Sequence, residues 1–239
     1  MKTGRSPFTQ ILPMLLGLTI IGHGAMALAA PYVPPAGLGA PGRRESAGTR
    51  GCGFGNPANL IALMPESNVG LTTAAYPRFY WYMPLSQAQF VRFTLTQVDD
   101  TDAAIATLYE AKVTVTGEAG IVSLQLPETV SLLPLVAGER YRWQVSAFCN
   151  PQSENGDLQI AGWIERRLPE SGLTDELASA SDLEAAALYA RNGYWFDAVD
   201  ALAAVRMTDP DTETLQDEWT ELLSSVGLEA LADQPWWIP

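Results

Sequence analysis

The stretch GERYRWQVSAFC, residues 138–149, decides how the rest of the chain is read. Side chains two apart on an extended backbone share a face. Tyr141, Trp143, Val145, Ala147 and Cys149 therefore lie on one side, and Arg140, Arg142, Gln144 and Ser146 on the other. This alternation predicts a half-buried β-strand over 140–148 with its aromatic face inward. The strand runs into Cys149, one of only two cysteines in the chain; the other is Cys52. A buried thiol with no histidine or lysine beside it in sequence has no evident activator. A structural Cys52–Cys149 bridge is the expectation, with a free pair and a redox pair as alternatives. On the chain-entropy account, closing a loop of roughly a hundred residues stabilises by ~4–5 kcal/mol.

The same period recurs on either side of that strand, at 58–64, 78–83, 89–98, 104–113, 120–126 and 158–166. Val91, Phe93 and Leu95 oppose Arg92, Thr94 and Thr96, and Val122, Leu124 and Leu126 oppose Ser123 and Gln125. About seven short strands broken by Gly, Pro, Asp and Asn predict an all-β sandwich over 58–167. The pattern Leu135, Gly138, Tyr141, Trp143, Val145, Ala147 resembles the tyrosine corner and following strand of fibronectin type III domains. That resemblance implies a fibronectin-III-like or immunoglobulin-like sandwich in which the Tyr141 hydroxyl bonds back to upstream backbone.

After Pro169 the period becomes helical. Ser181 and Glu184 form a capping box that opens a helix running to about Arg191 and ending at Asn192-Gly193. Trp195, Ala198, Val199, Leu202 and Val205 make the apolar stripe of a second helix, stopped by Pro210. Asp211 or Thr212 caps a third, with Leu215, Trp219, Leu222, Leu223 and Val226 inward and Gly227 closing it. The first two helices resemble one tetratricopeptide-type hairpin, a single copy where stacks need several. The fold class expected is thus mixed: a β-sandwich followed by a small all-α segment over 168–232, then a Trp-rich tail over 233–239.

The N-terminus carries a different message. Lys2 and Arg5, the apolar run 11–22 and Ala27-Leu28-Ala29 have the form of a signal peptide over 1–29, with Ala25-Met26-Ala27 as a competing cleavage site. An uncleaved anchor is the alternative. Residues 31–57 hold five prolines and seven glycines, so 30–57 reads as a flexible leader. An exported protein, periplasmic or extracellular, with no membrane span after cleavage, is the expectation. Loss of 1–29 would leave twelve basic residues against 27 acidic ones, a net charge of −15. Such a surface makes nucleic acid a poor partner. The only histidine, His23, would leave with the signal peptide, excluding histidine-based hydrolysis and histidine-ligated zinc from the mature chain.

Binding residues are harder to name. Arg43, Arg44 and Arg50 form the one basic patch of the leader, either a solvated tail or a docking patch for an anionic partner. With Trp81 and Trp143 inward, Tyr80, Tyr82 and Phe148 fall on outer faces, and Trp163 lies opposite Ile160, Gly162 and Ile164 on its strand. Such aromatics stack sugars, or they carry the helices. Trp236 and Trp237 either dock on the body or meet a partner. Asp99, Asp100 and Asp102 sit at a strand connection, where a polar turn competes with a calcium site. Asp209, Asp211 and Glu213 suit a helix start better than a metal. No pattern calls for a cofactor, a metal or a catalytic residue.

Six ordered segments carry a wider resemblance: APGRRESAGTRGC (40–52), GLTTAAYPRFYWYMP (70–84), AGERYRWQVSAFC (137–149), AGWIERR (161–167), ALYARNGYWFDAVDALAAVR (187–206) and SSVGLEALA (224–232). Together they resemble the cyanobacterial family catalogued as domain of unknown function 928. The resemblance implies an exported cyanobacterial protein and brings no catalytic residues. The expected function is a non-enzymatic binding or scaffold module of the periplasm or cell envelope that engages a protein partner. A carbohydrate-binding module for envelope or extracellular polysaccharide, and a carboxylate-based hydrolase, are the alternatives.

Overall fold

In the computed structural model, residues 1, 31–40, 44–46, 52–54, 59–150, 152, 154–210 and 212–237 are described. Residues 2–29 of the expected signal peptide, Arg43, Arg50 and Asp211 lie outside them. Two sheets face each other. The larger is built from β3 (Val69–Thr72), β6 (Phe90–Val98), β7 (Ala104–Thr114), β9 (Arg140–Phe148) and β10 (Leu158–Arg166), in the order β3-β10-β9-β6-β7. The second holds β2 (Ile61–Ala62), β4 (Arg78–Met83), β8 (Gly120–Gln125) and β11 (Trp236–Trp237), in the order β11-β8-β4-β2. A small ribbon pairs β1 (Gly53–Phe54) with β5 (Leu85–Ser86). Every pairing is antiparallel except β3 on β10 and β11 on β8.

The alternation read from the sequence is what fills the space between the sheets. Tyr141, Trp143, Val145 and Ala147 of β9 are buried, as are Val91, Phe93 and Leu95 of β6. From β4, the Phe79 ring lies 4.9 Å from Phe93 and 5.4 Å from Trp143.

Four helices follow: α1 (Ser171–Ser179), α2 (Asp182–Arg191), α3 (Trp195–Thr208) and α4 (Glu213–Ser224). The capping box at Ser181 and Glu184 is formed. The helices belong to the same hydrophobic core as the sheets, because α3 lies directly on β3 and β4. Phe196 sets its ring edge-on against Phe79 at 5.4 Å, and Trp195 donates its indole N–H to the Leu63 carbonyl at 2.7 Å. Gly70 makes that approach feasible: a Cβ there would stand 2.7 Å from Phe196 Cε2.

The described parts of the leader also pack, which corrects the expectation of a flexible segment. Tyr32 is buried, donates its backbone N–H to Ser225 Oγ at 3.1 Å and meets the Trp195 ring edge-on at 5.0 Å. Val33 N–H donates to the Ala190 carbonyl. An aromatic residue in a Pro/Gly-rich run has enough apolar area to tie the segment down. Among the described residues no helix is long and apolar enough to cross a membrane.

Candidate functional site

Cys52 and Cys149 form a disulfide, with their Cα atoms 5.9 Å apart and a sequence separation of 97. The bridge ties the residue before β1 to the first residue after β9. Asp157 fixes the other side of that corner, where its carboxylate accepts from the Cys149 and Asn150 N–H groups at 2.8 and 2.9 Å. Among the described residues, these two cysteines and Asp157 are the one group of ligating side chains near enough to share a metal ion. Because both sulfurs are spent on each other, that corner offers one carboxylate and no thiolate. At the opposite end of β9 the Tyr141 hydroxyl accepts from the Val136 N–H at 2.9 Å, locking the turn that enters the strand.

Several residues expected at a surface are not there. Tyr80 and Tyr82 do leave the inner face of β4, yet they are 4% and 1% exposed. The Tyr80 hydroxyl donates to Asp200 of α3 at 2.6 Å, and its ring meets Trp236 edge-on at 6.0 Å. Trp163 also leaves the inner face and is buried among Val69, Val98, Leu38 and Ala40. Phe148 is buried too, stacked on Phe90 at 4.6 Å under the Arg92 guanidinium. The covers differ: α3 and the tail lie against Tyr80, the leader against Trp163, and Phe90 and Arg92 of the same sheet against Phe148, so these aromatics contribute burial rather than a sugar platform.

Trp236 and Trp237 are half-buried because the tail adds β11 to the edge of β8. Trp219 of α4 lies 4.9 Å from Trp236, and the Arg206 guanidinium stands 5.7 and 5.8 Å from the two rings. Gly120 leaves room for this pairing, since a Cβ there would come within 2.4 Å of Trp237 Cδ1. Arg44 likewise turns inward. It donates to the Met64, Val226 and Gly227 carbonyls, at 3.1, 2.5 and 3.2 Å. A guanidinium at the carbonyl end of α4 satisfies acceptors that no further turn reaches and complements the helix dipole.

The acidic clusters serve local structure. Asp99 Oδ1 accepts from Thr101 N–H, Thr101 Oγ1 and Ala103 N–H, and these bonds hold its carboxyl below the usual range. Asp102 pairs with Arg140 at 3.5 Å. Asp209 accepts from Thr212 Oγ1 at 2.5 Å, just ahead of α4.

Two carboxylates went unremarked in the sequence. Asp197, in the first turn of α3, accepts from Thr73 N–H and Thr73 Oγ1 and so ties α3 to the end of β3. Burial pushes its carboxyl up to about 6, against the pull of those bonds. Glu218 is 3% exposed, and its Oε2 has no hydrogen-bond partner among the described residues. Burial, then Glu221 and Asp217, raise its pKa. A signal for Glu218 was available: it lies three residues after Leu215 and four before Leu222, on the apolar stripe of α4.

The charge of the molecule is divided unevenly. Residues 168–239 carry fifteen carboxylates and two arginines, whereas 31–167 carry twelve carboxylates and ten basic side chains. The fold and these sites define a class: a disulfide-bridged protein of two facing β-sheets closed by an acidic helical cap. The chain belongs to the family described as Domain of Unknown Function (DUF928), which it matches over residues 45–236. A comparison with curated protein sequences gives no match.

Proposed function

We propose that the protein is an exported, non-enzymatic binding or scaffold module of the periplasm or cell envelope that engages another protein. The observation that carries this reading is the helical cap, a surface of nearly one sign mounted on the sheets through buried aromatic rings and the Asp197–Thr73 bonds. A single-signed face steers and selects a partner of opposite charge. Export is supported by the Lys2–Ala29 pattern and by the oxidised Cys52–Cys149 pair, which persists in oxidising compartments. The order β10-β9-β6-β7 opposite β8-β4-β2, with Tyr141 bonded to Val136, supports a sandwich of the fibronectin-III or immunoglobulin kind. The α2–α3 pair supports a tetratricopeptide-like hairpin used as a cap.

The test is to tag the C-terminus, crosslink in living cells with a carboxylate-reactive reagent and identify by mass spectrometry what co-purifies. The reagent suits a protein with Lys112 as the one lysine beyond Lys2. A reproducible basic protein, on a chain whose N-terminus begins at Ala30, is the expected result. Polysaccharide alone would move the glycan-binding alternative forward, and an unprocessed N-terminus would sink cleavage of the signal peptide.

A further inference from the structure

Between α2, α3 and α4 lies a narrow slot lined by Leu183, Ala186, Ala190, Leu202, Leu222 and Glu218. The slot has room for one water-sized group. Alanines on α2 stand where larger side chains would close it. Every lining group but Glu218 is aliphatic, so the buried Glu218 Oε2 meets no donor there. An unpaired carboxylate oxygen in apolar surroundings carries its full desolvation penalty. Neither arginine of the cap relieves it: Arg206 is stacked on Trp219 and Trp236 and bonded to Gln216, and Arg191 ends α2 exposed.

We propose that this slot receives a primary alkylammonium group, the side chain of a lysine on a partner protein, whose ammonium donates to Glu218 Oε2 while its stem leaves past Leu183, the one lining side chain that is not buried. The inference rests on the binding-module reading and names the chemistry of the partner. Charge selects a cation, and the fifteen carboxylates of the cap concentrate cations at its surface. Size selects lysine over arginine, because an ammonium is a compact point charge and a guanidinium a planar fork. The aliphatic lining selects a cation on a hydrocarbon stem over a free ion.

The test uses the full chain with ¹³C-labelled glutamate and n-butylammonium as the probe, beside n-butylguanidinium and n-butanol. Butylammonium is expected to shift the Glu218 carboxyl resonance saturably, guanidinium at least ten-fold more weakly, and butanol not at all. Ala186→Leu fills the slot while keeping the carboxylate, and should abolish the response with helicity retained; the resonance missing from the spectrum of Glu218→Gln is the one to follow. Equal responses to ammonium and guanidinium, or a response surviving Ala186→Leu, would overturn the proposal. Crosslinking in cells separates the two readings. A partner captured equally by wild type and Glu218→Gln leaves the binding module standing and sinks the lysine slot. A butylammonium response without any captured protein supports the slot chemistry and sinks the module.

Discussion

Asp197 stands at the head of α3 and accepts from the Thr73 backbone at 3.0 Å and the Thr73 hydroxyl at 2.5 Å, two bonds that join the helical cap to the sheet. Its carboxyl is raised from 3.8 to about 6, chiefly by burial. The folded chain therefore holds this proton more tightly than the unfolded chain. The contribution favours folding below about pH 4 and is lost as pH rises to about 6, the reverse of an ordinary salt-bridged carboxylate. Its size is of the order of 1–3 kcal/mol. Asp197→Asn should remove this component, so that its stability between pH 4 and 6 rises more steeply than that of wild type. Parallel pH profiles from urea titrations would refute the assignment. None of this was legible in the sequence, because an Asp in a first helical turn is accounted for by the helix dipole alone.

At the scale of elements, legibility follows the range of the forces. β4, β9, β10 and α2 have the limits their local patterns predict, since each is specified by its own alternation, stripe or cap. β3 and β11 were missed: four and two residues have too little pattern, and each is a strand only because a distant segment offers it a parallel edge. α1 was missed as well, having no side-chain cap and burying only Leu173. β3 and α3 depend on each other through Gly70. Gly70→Ala would place a methyl 2.7 Å from Phe196 Cε2 and 3.2 Å from Trp195 Cβ. A loss of about 1–3 kcal/mol is expected from such overpacking. Hydrogen exchange should quicken in α3 more than in β6, and uniform or absent change would argue against this coupling.

Across the whole molecule, three segments distant in sequence hold the architecture closed: the leader through Tyr32 and Arg44, the tail through β11, and the bridge from Cys52 to Cys149. The bridge acts chiefly on the unfolded chain by restricting a 97-residue separation. Replacing both cysteines with serine should cost about 2–5 kcal/mol. The circular dichroism of the folded protein should not change, and chemical denaturation read with and without reductant checks both points. A wild-type stability indifferent to reductant would refute the role assigned to the bridge.

The candidate site shows the same division. Cys52, Cys149 and Tyr141 could be assigned from the chain, because a pairing of two lone cysteines and a strand-entry tyrosine depend on local pattern and compartment. Tyr80, Tyr82, Trp163 and Arg44 could not, since alternation tells which side of a sheet a residue leaves but not what lies against that side. The amino-acid sequence by itself determined the longer strands, α2, α3 and α4, their inward faces and the acidity of the cap. Only the tertiary structure decided that Tyr80, Tyr82 and Trp163 are covered and that Glu218 lies in a slot among aliphatic side chains. The physical reason is that periodicity arises within a segment, whereas burial is settled between segments far apart along the chain.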